Sequence, residues 1–389
     1  MTAGPGRRVA TAAVATALLA FLVASRAMLL RAGLWNDEAF TALFFIDRGP
    51  DAILRGDYIA NDHVLFNLLT WYATESFGRE EFVYRLWSVV PGVLAIGALA
   101  EWTRRRLGVA VALSFLLIAS TSPLHLELAV QARGYGLGFA AMAMLLVAAA
   151  GRAGTVPPLP VLFAMAGIVG IWTLPVFVLP FLGEAAFLVS RPGARGRTLG
   201  AVAAVGLASI AFYLPLFERI RAASGQDFGV LAAWSDVIDG PYRELFSTQA
   251  DRFALATSIP FGASVILFWV LCGLGLGMLV RRGEGALAGA LVSPVVATYA
   301  GLAALGLQYV PRFVSYLLLP CALLLSSGIV ALGRGLLHAC PPRTRRLACA
   351  AAFAVAAASV VDAAHLAIDW SKVPIESYRE AIAVARRSG

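Results

Sequence analysis

The chain has 389 residues, of which 60% are hydrophobic and 14% are charged, and its mean hydropathy is +0.79. A soluble domain is about 45–50% apolar and about 25% charged. The composition therefore excludes a soluble enzyme, a disordered chain and a nucleic-acid-binding domain, and it predicts an all-α polytopic membrane protein. The net charge of +8 comes from Arg residues that lie between apolar runs rather than on one soluble face.

The apolar runs predict about 11 transmembrane helices, within a range of roughly 10–13, because a spanning helix needs about 20 apolar residues. The runs lie at 9–30, 82–100, 107–124, 136–152, 156–172, 174–190, 198–217, 258–280, 285–307, 312–333 and 347–368. The fifth and sixth form one apolar stretch, and Trp172 and Pro175 mark its expected turn. Arg7 and Arg8 before the first run also suit a cleaved signal peptide, but the length of that run favours a retained helix.

The charges between the runs orient the predicted helices. With a cytoplasmic N-terminus, the inner segments hold 15 Arg and two acids, whereas the outer segments hold 13 basic and 19 acidic residues. This positive-inside pattern predicts a multi-pass protein of the inner (plasma) membrane, with its C-terminus on the periplasmic or extracellular side. The predicted transmembrane domain is 1–368, with outer loops 31–81 and 218–257 and a short outer tail, 369–389. The outer loops are expected to hold interfacial helices and to place the activity on the outer face.

The first outer loop contains the strongest candidate carboxylates. Asp37 and Glu38 directly follow the first run and Trp35, a residue type that favours the headgroup level. A carboxylate at this position can act as a general base, although a helix N-terminus also favours acids for the sake of its dipole. Apolar helices are predicted over 39–46 and 64–72, and Asn61-Asp62 resemble an N-cap for the second.

Three arginines lie at the same predicted outer depth: Arg85, Arg133 and Arg312. An arginine within a spanning run is costly, so it indicates a function by default, and a guanidinium suits a phosphate. Each could instead extend its side chain to the surface, or pair with Glu127 or a loop acid. Three at one depth favour an anion site.

These residues resemble motifs of the C-type membrane glycosyltransferases, in the branch of the protein O-mannosyltransferases and aminoarabinose transferases. The Asp37-Glu38 pair matches an acidic pair in the first external loop of that family. The segment 61–66 resembles its Asp-x-His-Pro-Pro-Leu-Tyr signature, with Val64 and Leu65 in place of the prolines. The segment Tyr84-Arg85-Leu86-Trp87-Ser88 resembles Arg-x-x-Ser, Arg133-Gly134-Tyr135 resembles Arg-x-Tyr, and Arg312 resembles an Arg that opens a late span.

The resemblance implies a hexosyl- or pentosyltransferase of the cell envelope that uses a polyprenyl-phosphate sugar donor and glycosylates a lipid, glycan or protein acceptor. It implies that Asp37 is the general base, that Glu38 assists, and that Arg85, Arg133 and Arg312 bind the donor phosphate. Asp62, His63 and Tyr135 are possible substrate-binding residues. No cofactor is expected to be required and no metal ligands are assigned, although an acid could bind a divalent ion. The expected partners are the polyprenyl-phosphate sugar donor, the lipid, glycan or protein acceptor and the membrane, and nucleic acid is not among them.

Other functions share parts of this pattern. A transporter or flippase for a lipid-linked sugar predicts repeated halves with matching broken helices, and the two halves of this chain show no self-similarity. A polysaccharide polymerase or ligase also combines Arg with carboxylates, but its main loop usually lies late in the chain. A non-catalytic subunit of a membrane assembly could keep the fold and lose the base, yet Asp37 is present.

Overall fold

The computed structural model describes residues 5–30, 32–55, 62–151, 160–223, 261–306 and 311–372, and these residues form helices and turns. The α-helices are α1 (Pro5–Leu29), α2 (Asn36–Thr41), α3 (Pro50–Arg55), α4 (Val64–Phe77), α5 (Glu81–Leu107), α6 (Val109–Thr121), α7 (Pro123–Leu128), α8 (Tyr135–Ala149), α9 (Pro160–Thr173), α10 (Val178–Val189), α11 (Arg195–Tyr213), α12 (Phe217–Ala223), α13 (Phe261–Arg281), α14 (Gly285–Leu305), α15 (Leu318–Ala339) and α16 (Pro342–Lys372). A π-helical turn, Ala42–Ile46, continues α2, and a 3-10 turn, Pro311–Leu317, leads into α15.

Apolar helices account for every predicted membrane run. In the described part of the chain, six are long and apolar enough to cross a bilayer: Val9–Leu29, Glu81–Leu107, Arg195–Ile220, Gly285–Leu305, Arg312–Ala339 and Thr344–Ser371. Five shorter ones complete the set: Val109–Thr121, Tyr135–Ala149, Pro160–Thr173, Pro175–Val189 and Val265–Arg281. A helix forms hydrogen bonds between its own backbone N–H and C=O groups, and lipid tails offer those groups no other partners. The predicted fold class is confirmed, and the chain is an integral, multi-pass membrane protein.

The apolar stretch 160–189 breaks at Leu174. This residue has an extended backbone (φ −134°, ψ 98°), as residues before proline commonly do. Pro175 lacks the N–H group that would extend α9. The stretch therefore forms two helices, and the turn predicted between Trp172 and Pro175 is confirmed.

Helices α9 and α10 run in opposite directions beside α8. Gly134, the N-cap residue of α8, packs against Thr173, the last residue of α9. At the other end of α8, Arg191 donates to the carbonyl of Ala149 at 3.1 Å, just after α10 has ended. The stretch is therefore a helical hairpin as long as α8.

Arginines bind helix ends at the C-terminal end of α8, which we term the arginine end. Arg106 donates to Glu284 at 2.6 Å and to the carbonyl of Ala150. Arg282 donates to the carbonyl of Leu107, the last residue of α5, at 3.0 Å. Cations suit helix C-termini because the last carbonyls lack partners within the helix.

Several predicted boundaries require correction. The first loop helix begins at Asn36 rather than 39, so that Asp37 and Glu38 lie in its first turn. The N-cap residue of α4 is His63 and not the predicted Asn61-Asp62, of which Asn61 lies outside the described residues. Helix α16 includes residues 369–372 of the expected tail. Most of the second outer loop, residues 224–257, lies outside the described residues.

Three segments meet at the N-terminal end of α8, which we term the site end. They are α2, the connection from α7 to α8, and the 3-10 turn Pro311–Leu317. Beneath α2 lies a buried apolar cluster: Leu34, Ala39, Ala42, Ile46, Phe66, Tyr84, Ala132 and Leu137. This packing fixes α2 against α5 and α8 and positions its polar side chains.

Candidate active site

Asp37 lies between two arginines at the site end. Its Oδ2 atom accepts hydrogen bonds from Nη1 of Arg133 at 2.7 Å and from Nη1 of Arg312 at 2.9 Å. The Arg133 side chain is 1% exposed, whereas those of Arg312 and Asp37 are 40% and 44% exposed. The three residues come from distant parts of the chain, and they form one anion-binding cluster that is open on the side of Arg312.

Local structure sets the direction of Asp37. Trp35 is the extended N-cap residue of α2, and its backbone N–H donates to Oε2 of Glu38 at 2.7 Å. A glutamate three residues after the N-cap commonly satisfies this group. The bond fixes the first turn of α2, in which Asp37 is the second residue.

Glu38 binds a different arginine. Nε of Arg85 donates to Oε1 at 3.2 Å and Nη2 donates to Oε2 at 2.8 Å, and both side chains are buried. Oε1 also accepts from the backbone N–H of Ala132. Because Ala132 precedes Arg133, Glu38 joins α2 to the segment that carries the buried arginine.

Arg85 also binds the end of α1. It donates to the carbonyls of Leu29 and Leu30 at 3.2 Å, to that of Ala32, and to that of Gly33 at 2.8 Å. These carbonyls lie at the end of α1, from its last residue Leu29 onward, where a helix leaves acceptors unsatisfied. The structure therefore brings Arg133 and Arg312 to Asp37 and places Arg85 on Glu38 and the chain between α1 and α2.

The three possible substrate-binding residues form a buried group behind Arg133. The ring centroids of His63 and Tyr135 lie 5.1 Å apart in an edge-to-face arrangement. Nδ1 of His63 lies 3.1 Å from the carbonyl of Thr173, so this nitrogen carries the proton. Nδ2 of Asn67 donates to Oδ1 of Asp62 at 2.5 Å.

Burial sets the protonation of this group. It raises the pKa of Asp62 from 3.8 to about 7, although Arg133 and the bond from Asn67 oppose the change. It lowers the pKa of His63 well below 6.5, and the charge of Arg133 adds to this effect. Histidine is therefore neutral here, and the carboxyl group of Asp62 is readily protonated.

Several polar atoms of this group have no hydrogen-bond partner among the residues that the structure describes. They are Oδ2 of Asp62, Nε2 of His63, Oη of Tyr135 and Oγ1 of Thr173. Buried polar atoms of this kind require water or a ligand. The group is therefore a polar surface adjoining the anion-binding cluster.

Glu127 is a site residue that the sequence indicated only as a possible partner of an arginine. It lies in α7, and Gln131 donates to its Oε1 atom at 3.4 Å. Burial raises its pKa, and the positive charge of Arg312 opposes that change. Its position between two apolar runs, six residues before Arg133, was the signal that could have found it.

Metal ligands do not cluster in the described part of the chain. Within those residues, no group of three or more His, Cys, Asp and Glu side chains is arranged to hold a metal ion. The expected independence from cofactors stays a prediction.

Solved structures provide the comparison that bears on the fold. No protein-family model matches the chain, and a search of curated proteins gives no match. A crystal structure of ArnT from Cupriavidus metallidurans bound to undecaprenyl phosphate is similar, with a TM-score of 0.56 and 18% identity. The apo structure of the same protein is similar, with a TM-score of 0.52 and 16% identity. This chain has the fold of ArnT.

The similarity extends through most of this chain. It covers 85% of the chain for the lipid-bound ArnT structure and 87% for the apo structure. In both cases it covers 61% of the ArnT chain, so this chain corresponds to about three fifths of the length of ArnT. At these identities the similarity establishes a shared fold.

Proposed function

We propose that this protein transfers a sugar from a polyprenyl-phosphate-linked donor to a hydroxyl group of a lipid, glycan or protein acceptor. The observation that carries the proposal is the position of Asp37, a half-exposed carboxylate held by Arg133 and Arg312. The ArnT fold supports it, since ArnT is an aminoarabinose transferase, a C-type glycosyltransferase, and one of its structures is bound to undecaprenyl phosphate.

The proposed reaction is a single displacement that inverts the anomeric carbon. The acceptor oxygen forms a bond to the anomeric carbon while the bond from that carbon to the phosphate oxygen breaks. The hydroxyl proton passes to Asp37, which acts as general base. The products are the glycosylated acceptor and a polyprenyl phosphate monoester, which carries the electron pair of the broken bond.

Arg133 and Arg312 stabilise the charge that develops on the leaving phosphate, because fixed guanidinium groups strengthen their interactions as that charge grows. Asp62, His63 and Tyr135 contact the sugar or ordered water beside it. Glu38 and Arg85 are positioning residues, because they fix α2 and the segment before Arg133. The acceptor is glycosylated at the outer face, a placement supported by Arg106, Arg191 and Arg282 at the opposite end of the bundle.

A transfer assay tests the proposal. Purified protein receives a panel of radiolabelled polyprenyl-phosphate sugars, with membrane extract as acceptor. We expect transfer by the wild type, and a loss of about 100-fold or more in Asp37→Asn, since a general base contributes about 10²–10⁴-fold. Asp51→Asn is the matched control, because this acid of α3 is exposed and pairs with Arg55 outside the site.

Each alternative function gives a different result in this assay. A flippase would bind the donors without transferring sugar in any variant. A polymerase or ligase would join preformed polymer and leave the single-sugar donors unused. Equal transfer by wild type and Asp37→Asn would refute the role of Asp37 as the base.

A further inference from the structure

The anion-binding cluster holds a carboxylate where the proposed reaction requires a phosphate. One oxygen atom, Oδ2 of Asp37, accepts from both Arg133 and Arg312, at 2.7 and 2.9 Å. In the proposed function the same two guanidinium groups stabilise the leaving phosphate, and Asp37 accepts the acceptor proton. Carboxylate and phosphate therefore need the same donors.

We propose that Asp37 occupies the phosphate position in the unliganded site, and that the donor displaces it from Arg312 on binding while Arg133 stays with the carboxylate. This inference rests on the proposed function. The exposures of the side chains decide which arginine is exchanged. Arg312 is 40% exposed and Arg133 is 1% exposed, so that only Arg312 can meet an incoming phosphate without a rearrangement of the core.

The exposed end of Arg312 suits the incoming group. A guanidinium binds a phosphate best through two parallel N–H groups. Nη1 and Nη2 form such a pair, so that the release of Nη1 from Asp37 lets Arg312 bind the phosphate through both nitrogens.

The replacement of Asp37 by the donor phosphate at Arg312 keeps the charges of the site balanced during the reaction. The donor phosphodiester and the Asp37 carboxylate each carry one negative charge, which the two guanidinium groups balance. Transfer of the acceptor proton neutralises Asp37, and cleavage of the sugar–phosphate bond gives the phosphate its second negative charge. The negative charge thus moves from Asp37 to the phosphate while its total stays constant. Protonation of Asp37 removes the negative charge that balances Arg133, and the positive charge of Arg133 then stabilises the leaving group from its buried position.

A binding cycle with undecaprenyl phosphate tests the inference. Dissociation constants are measured in detergent for the wild type, Asp37→Asn, Arg312→Ala and the double variant. We expect Asp37→Asn to bind about tenfold more tightly, which corresponds to about 1.4 kcal/mol, because it removes the competing carboxylate. Arg312→Ala should bind more weakly, and in its background Asp37→Asn should gain less than about threefold.

Controls separate this effect from changes in total charge and in folding. Asp51→Asn removes one negative charge at an exposed ion pair and should leave the affinity unchanged. Asp37→Ser provides a second replacement with the same expected gain. A thermal unfolding curve for each variant checks that the protein used in the binding measurement is folded.

Two results would overturn the inference and leave the proposed function in place. In one, the wild type binds, Arg312→Ala binds more weakly, and Asp37→Asn shows no gain. In the other, Asp37→Asn gains equally with and without Arg312, so that the carboxylate acts through its field alone. Absence of binding by the wild type and every folded variant would refute the proposed lipid-phosphate function and the inference with it.

Discussion

Glu38 and Arg85 form a buried ion pair through two hydrogen bonds, with Oε2 and Nη2 2.8 Å apart. The neighbouring carboxylate, Asp37, binds Arg133 and Arg312 instead. Adjacent acids of one helix turn thus bind different arginines. The Glu38–Arg85 pair stabilises the structure of the site end. The cluster of Asp37, Arg133 and Arg312 is open to solvent on the side of Arg312.

Glu38→Gln should strongly destabilise the fold. The change leaves the Arg85 guanidinium buried without its counter-charge, and breaking a buried pair costs about 3–5 kcal/mol. Thermal unfolding in detergent measures the effect. Asp51→Asn, which removes an exposed pair with Arg55, should change the unfolding temperature little. Equal losses in the two variants would contradict a structural role for the Glu38 pair.

Replacement of Arg312 should separate charge from geometry. Arg312→Ala should lower kcat/KM for transfer by about 10²–10³-fold, the usual effect of removing one preorganised donor to a developing negative charge. Arg312→Lys should recover only part of this loss, because an ammonium group lacks the planar fork. Steady-state kinetics provide the measurement, and Arg55→Ala is an exposed control. Full activity in Arg312→Ala would exclude contact between this residue and the donor.

Asp62 should make stability depend on pH. Its pKa is 3.8 in the unfolded chain and about 7 in the fold, so between these values the unfolded chain has lost a proton that the folded chain retains. Stability from this group is complete below pH 3.8 and is lost as the pH rises to about 7. Asp62→Asn resembles the protonated form and should remove this dependence. Its unfolding temperature relative to wild type should therefore rise from about pH 5 to about pH 8. A difference that is constant with pH would contradict the prediction.

Gly134→Ala should damage the site by crowding. A Cβ atom at this position would overlap Cγ2 of Thr173 and lie 3.2 Å from Nδ1 of His63. Overpacking of this kind costs about 1–3 kcal/mol. Thr173→Ser removes the overlapping methyl group and should restore most of the lost stability in the double variant. Gly196→Ala, at an open position of α11, is the matched control. A double variant no more stable than Gly134→Ala would show that the overlap with Cγ2 of Thr173 is not the source of the lost stability.

The membrane architecture could be predicted because its signals are local. Among the described residues six apolar helices are as long as a bilayer requires, and Pro175 breaks the stretch 160–189 where its missing N–H predicts. Helix ends were less predictable. The N-cap position of α4 belongs to His63, whose ring bonds to the carbonyl of Thr173, and this contact lies 110 residues away in sequence.

The sequence by itself determined the membrane fold class and placed Arg85, Arg133 and Arg312 at one predicted outer depth. Length, hydropathy and charge suffice for that, because a bilayer sorts residues along one axis. Only the tertiary structure decided which acid meets which arginine. Consecutive residues of a helix point in different directions, so the partners of Asp37 and Glu38 depend on which segments pack against each face of α2. That choice separates the buried pair of Glu38 from the exposed anion-binding cluster of Asp37.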